Sequence, residues 1–283
     1  VDNTTADEIL DLQVLYDGVP QTMKIVGADG VPVNSQDGTQ PGQLINSTDY
    51  RLATAGRVEF LVTAPAPTVK VAQFITNNVN TGPQGDCDPT RSIANIVLIG
   101  NTDPQTADEF VGTFTALNTN QQMFGGTGGL QLTPTRVFQF SEIQPTEFFI
   151  TQVSAGQTPT LFDNNNPPSV VTTQGSLEQW TIQNISQENH EFHLHQIHFK
   201  VLAQNNYEIN GNPQNTALNN QFVDTVDVPF WDNVKNKKQS SAPAAVLLMD
   251  FRGMDIGQFV YHCHILSHED LGMMAIIQVN PAP

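Results

Sequence analysis

An all-β protein built from sandwiches is what this sequence predicts, on three observations. Helix periodicity is nearly absent. Short runs rich in Val, Ile, Phe and Thr alternate with clusters of Gly, Pro, Asn and Asp, the pattern of sandwiches and barrels. Hydrophobic residues make up 39% and charged residues 14%, so there is enough apolar material to bury a core and the chain is not a disordered one. At ~150 residues per domain, the 283 residues suggest about two domains.

The elements follow in order. A strand at 11–16 closes on Asp17-Gly18, and one at 22–26 on Ala28-Asp29-Gly30. Gln36-Asp37-Gly38 and Pro41-Gly42 mark turns ahead of strands at 57–62, 70–76 and 93–99. Further strands are predicted at 137–140, 148–153, 177–184 and 199–203. Asn210-Gly211-Asn212-Pro213 then turns the chain before strands at 245–251 and 258–263. A short helix is expected near His264, where a strand gives way to Ile265-Leu266-Ser267.

Composition changes around 101–132, where Gly125-Gly126-Thr127-Gly128-Gly129 stands. A phosphate-cradling loop would need a strand before it, a helix after it and a nearby Lys. None is present, so a flexible linker is predicted at 116–130, between domains at 1–115 and 131–283. The first domain looks clipped at its front, its opening residues reaching a strand without an obvious preceding partner. Lys235-Asn236-Lys237-Lys238 reads as a solvated loop.

Acidic residues outnumber basic ones 28 to 11, a formal charge of −17. Such a surface repels phosphate backbones and anionic lipid heads, which argues against nucleic-acid and membrane-surface partners. No apolar run approaches the ~20 residues that span a bilayer. The opening Val1-Asp2-Asn3-Thr4-Thr5 is no signal peptide, and the chain is expected to be soluble. Three Asn-x-Ser/Thr sequons, at Asn3, Asn46 and Asn184, are too common by chance to identify a glycosylated host. Of the two cysteines, Cys263 stands between histidines; if it has a chemical duty, Cys87 has no partner within the chain.

All seven histidines fall in two short windows, 190–198 and 262–268. Such density signals a metal site. Strand side chains alternate faces, so His262 and His264 share one face while Cys263 points to the other. His193 and His195 likewise share a face, with His190 on the opposite parity. Two pockets result, one from His193, His195, His262 and His264, the other from His190 and Cys263. His268 and Met273, five and ten residues past the cysteine, are close enough to loop back to the second pocket. Two imidazoles, a thiolate and a soft thioether are the ligand set of a blue-copper electron-transfer site. Zinc also accepts Cys and His, but it would not require the thioether and has no redox use for an adjacent all-His pocket. His198 shares the parity of His190 but lies ~26 Å further along an extended strand, which argues against it as a ligand.

These residues resemble the C-terminal copper signatures of the multicopper oxidases, the laccase-like family. A His, two residues, then His-x-His is matched by His190, His193 and His195. The closing His-Cys-His-x-x-x-His-x-x-x-x-Met is matched by His262, Cys263, His264, His268 and Met273. Asp224-Thr225-Val226-Asp227-Val228-Pro229, Gly257-Gln258-Phe259-Val260 and the stretch 52–60 look like strands of the family's second and third domains. The family usually has Pro after the first His and Gly-His after the third; Glu191 and Gln196-Ile197 stand there instead. The N-terminal domain with its two further His-x-His motifs is missing.

The resemblance implies two cupredoxin-like Greek-key β-sandwich domains, the first without copper ligands. It implies a type 1 copper at His190, Cys263, His268 and Met273 that accepts single electrons from a reducing substrate. His193 would bind the type 2 copper, and His195, His262 and His264 the type 3 pair, together half the ligands of a trinuclear cluster that reduces O2 to water. Glu269 resembles an acid that feeds protons to oxygen in some relatives; a solvated loop carboxylate is an equal reading. The partners expected are O2, a phenolic, aromatic amine or metal-ion reductant, and an N-terminal cupredoxin domain or companion chain. The expected location is secreted or periplasmic. The other function open at this point is a non-enzymatic blue-copper protein that binds copper or passes electrons without reducing oxygen.

Overall fold

In the computed structural model, residues 1–35, 41–97, 131–209, 212–214, 218–231 and 241–283 are described. The predicted linker, the glycine run, the Lys235–Lys238 stretch, the Gln36-Asp37-Gly38 turn and the end of the 93–99 strand lie outside them.

The protein is all-β. The one α-helix among the described residues is Leu266–Asp270, close to the predicted start, and Val153–Ala155 forms a 3₁₀ turn. In the first part of the chain, strand Leu10–Tyr16 pairs antiparallel with Ala72–Asn77, Tyr50–Leu52 and Val19–Pro20. The opening strand thus finds its partners later in the sequence. A second sheet forms around Met23–Ala28, flanked by Val31–Pro32, Ile45–Ser47 and Val58–Leu61. The described strands of residues 1–97 pair only with one another.

The second part is a sandwich of two larger sheets. One runs Glu147–Gln152, Thr135–Ile143, Leu177–Asn184, Ala244–Asp250, Phe199–Asn205, Phe222–Val223. The other runs Val170–Thr173, Met274–Asn280, Gly257–Cys263, His190–Leu194, Thr225–Val228. Each contains one parallel pair, Thr135–Ile143 with Leu177–Asn184 and Val170–Thr173 with Met274–Asn280. Alternation explains the facing: Trp180 and Ile182 of one sheet and Phe192 and Tyr261 of the other are fully buried. Trp180 meets Tyr261 edge-on at 5.6 Å, and Phe138 meets the same ring at 5.6 Å. Each predicted strand has a counterpart. Met274–Asn280 was not among the predictions, although Ala275, Ile277 and Val279 alternate inward along it.

The two parts meet along the histidine-bearing strands. Arg51 pairs with Asp227 at 2.7 Å, Arg57 with Asp224 at 2.7 Å, and Leu266 N–H donates to the Ala6 carbonyl at 2.9 Å. Of the three sequons, Asn3 and Asn184 are buried and hydrogen-bonded into the fold, and Asn46 is exposed.

Candidate metal centres

One register arranges the histidines. On adjacent antiparallel strands, His193 lies opposite His262 and Phe192 opposite Cys263. His193 and His262 therefore share a face, and Cys263 turns to the other, where His190 also points.

The first centre is buried. His190 Nδ1 is 3.9 Å from Cys263 Sγ, His268 Nδ1 is 3.7 Å from it, and the two nitrogens are 3.1 Å apart. His190, Cys263 and Met273 have no exposed surface. The short helix swings His268 back to the sulfur. Gly272, at φ +111°, then turns the chain so that Cys263 N–H donates to the Met273 carbonyl at 3.0 Å. A Cβ at Gly272 would also press on the Leu161 side chain, whose Cδ2 would lie 2.6 Å away and would have to shift.

Both imidazoles have a carboxylate behind them. His190 Nε2 is 3.4 Å from Glu142 Oε2, and His268 Nε2 is 3.4 Å from Glu188 Oε1. A carboxyl oxygen that accepts from Nε2, ionised or not, keeps the hydrogen there, which leaves both Nδ1 lone pairs aimed at each other and at the sulfur. Such an arrangement repels itself without a cation, and the donor set of two nitrogens and a sulfur suits copper. Burial pushes His268 down to about 2 and lowers His190, so neither ring is charged at neutral pH. Burial, then the Glu142 side chain, pushes Glu188 up to about 9.

The second centre joins His193, His195 and His262, whose ligand atoms lie within 4.8 Å of one another. His264 completes the cluster, its ring 5.1 Å from that of His193 and 5.2 Å from that of His262. His193 Nδ1 is 2.9 Å from the Asp224 carbonyl and His262 Nδ1 is 2.9 Å from the Cys263 carbonyl. A carbonyl only accepts, so both Nδ1 atoms carry hydrogen and both Nε2 atoms are free to ligate. His262 Nε2 indeed lies 3.1 Å from His195 Nε2. Burial takes His193 down to about 3 and His262 to about 4. His195 is exposed, and the cluster opens on a cavity of about 320 Å³.

Glu269 Oε2 is 3.1 Å from His262 Nδ1, so this carboxylate contacts the cluster rather than solvent alone. His198 is not carried far along an extended strand, because the chain turns at Gln196, whose φ is +71°. His198 lines the same cavity as His193 and His195, with Nε2 turned to the Asp29 carbonyl at 2.9 Å. Cys87 is an exposed free thiol.

The sequence pattern did not reveal Glu142, Glu188 or Thr54. Thr54 N–H donates to the fully buried Glu191 carboxyl at 2.8 Å. The Thr54 hydroxyl contacts the same carboxyl and the His264 carbonyl, the latter at 2.7 Å. It has one hydrogen for two oxygens. Burial pushes Glu191 up to about 8, so a neutral Glu191 can donate to Thr54 and leave the hydroxyl hydrogen for His264.

Residues 130–283 match the sequence profile of a family described as multicopper oxidase. A laccase of Bacillus subtilis is 29% identical over 126 residues, 43% of this chain and 25% of that protein. A laccase of Haloferax volcanii is 32% identical over 114 residues, 40% of this chain and 17% of that protein. In fold, the chain is similar to the 2F4 variant of the McoA multicopper oxidase of Aquifex aeolicus. The TM-score is 0.69 at 16% identity, covering 96% of this chain and 53% of that one. It is also similar to a Campylobacter jejuni multicopper oxidase described as a metallo-oxidase, with TM-score 0.64 at 21% identity, covering 99% and 52%. The chain spans about half the length of these structures.

Proposed function

This chain belongs to the multicopper oxidase family, and from that premise we propose that it is the electron-accepting part of a laccase-like oxidase, with a type 1 copper at His190, Cys263, His268 and Met273. Copper bound at the two centres would take single electrons from a reductant and deliver them to O2, giving water. The observation that carries this reading is the buried His190–Cys263–His268 triangle, whose cysteine is bonded directly to His262 and His264 of the second cluster.

The protein groups have definable tasks. Peptide bonds on either side of Cys263 give the two centres a covalent connection. Glu142 and Glu188 orient His190 and His268, and Asp224, with the Thr225 hydroxyl 2.8 Å from His193 Nδ1, orients His193. His193, His195, His262 and His264 are half the imidazoles of the family's cluster; on this reading a further domain or companion chain supplies the rest, and exposed His195 leaves the cluster open to one.

The reductant's place is supported by a cavity of about 760 Å³ lined by Glu142, Ile143, Phe149, Leu161 and Phe162. Apolar walls beside the carboxylates of Glu142, Glu147 and Asp163 suit an aromatic reductant with a hydroxyl or amine to hydrogen-bond. The Glu142–Glu188 pair suits a metal-ion reductant.

The test combines a copper count, visible absorption and oxygen uptake with a phenol. The chain alone should bind one blue copper firmly, lose the colour but not the fold as Cys263→Ser, and consume oxygen only once the missing His-x-His domain is supplied. Four coppers and steady oxygen uptake from this chain alone would overturn the division of ligands. A colourless copper-loaded chain would overturn the type 1 assignment. Full copper loading without oxygen uptake, domain included, would favour a non-enzymatic copper protein.

A further inference from the structure

Glu191 directs its backbone N–H to Cys263 Sγ at 3.3 Å, inside the buried centre. Its carbonyl, on the same side, accepts the His264 N–H at 3.2 Å. A residue in an antiparallel ladder turns both groups to one neighbour, and there the N–H would ordinarily meet a carbonyl. Here it meets the sulfur. No bond to the Asp227 side depends on this N–H, although Glu191 and Asp227 are register partners. The buried carboxyl held by Thr54 pins the peptide in place. The Ile265 N–H also bears on the sulfur and, like that of Glu191, favours its thiolate against the upward push of burial.

We propose that the Glu191 N–H sets the reduction potential of copper bound at His190, Cys263 and His268, raising it by stabilising the charge on sulfur. This rests on the type 1 reading given above. The thiolate donates much of its charge to oxidised copper and keeps more of it when copper is reduced, so a hydrogen bond to sulfur favours the reduced state. Proline at this position would have no N–H to offer, so the donor depends on the residue that stands here.

The experiment compares Glu191→Pro with Glu191→Ala in the copper-loaded chain by potentiometric titration at the blue band. Both variants lose the carboxyl; only proline loses the N–H. Both should remain blue, with the proline variant about tenfold harder to reduce than the alanine variant, the scale of one charge-assisted hydrogen bond. A one-electron couple reads that as about 59 mV. Equal potentials would overturn the proposal. A second measurement needs no variant: with ¹⁵N at glutamate, pulsed electron–nuclear resonance of the oxidised wild-type site should show an exchangeable amide proton and nitrogen coupled to the sulfur-borne spin. Absence of that coupling would overturn it even where the proline variant fails to fold. A wild-type chain without a blue band would instead refute the type 1 reading itself.

Discussion

His193 stands directly across the sheet from His262, and this register sorts the histidines of the two strands and Cys263 onto two faces. A slip of one residue would set His193 against Cys263 and divide both clusters, because strand side chains alternate with period two. Burial on the face opposite His193 holds the register: Phe192 and Leu194 are both locked in the core there.

Met273 should tune the buried centre without holding its metal. It is fully buried, and leucine is close to it in volume, so Met273→Leu should cost less than ~1.5 kcal/mol of stability. Loss of the thioether should raise the potential with copper still bound. Copper loss would show that Met273 holds the metal, and an unchanged or lowered potential would show that its sulfur does not tune it.

Glu269 distinguishes a working acid from a loop carboxylate. Its Oε2 sits 3.1 Å from His262 Nδ1, so Glu269→Gln should weaken metal binding at the imidazole cluster by about 10–100-fold. The blue band should stay where it is. Metal titration checks this, and an unchanged affinity would leave Glu269 as a loop carboxylate with no hold on the cluster.

The metal-free chain should be most stable between about pH 4.3 and 6.5. Burial lowers His262 to about 4, His193 to about 3 and His268 to about 2. The unfolded chain protonates these rings below about 6.5 while the folded one does not, so their contribution drains away as pH falls from there. Glu191 and Glu188, raised to about 8 and about 9 by burial, act oppositely. The folded state keeps protons that the unfolded state releases above about 4.3, and stability falls as pH rises toward 8–9. Urea denaturation across the range measures the curve; a maximum at pH 8 would contradict it.

Arg51 should be costly to remove. It pairs with Asp227 at 2.7 Å, with side-chain exposures of 9% and 6%. Arg51→Met leaves a buried carboxylate alone, at a cost of about 3–5 kcal/mol. Adding Asp227→Asn should restore part of the loss in the denaturation midpoint. Equal midpoints for the single and double variants would show that the charge is already screened.

The sequence by itself determined the all-β class, the principal strands and the faces to which the clustered histidines and Cys263 turn. It could do so because strand alternation is local: His262, Cys263 and His264 must face alternately in whatever sheet they occupy, and so must His190 and His193. Two- and three-residue strands such as Phe222–Val223 and Tyr50–Leu52 were not legible, since so short a run carries no period. Tertiary structure alone decided what stands behind each ligand. Glu142 and Glu188 come from separate segments to the two buried imidazoles, and Thr54 reaches Glu191 and His264 from the other part of the chain. Only the fold could show that His198 turns back toward His193, or that the Glu191 N–H points at sulfur. The candidate ligands are written in neighbouring residues. Nitrogen choice, charge and potential depend on groups that only long-range packing brings within hydrogen-bond reach.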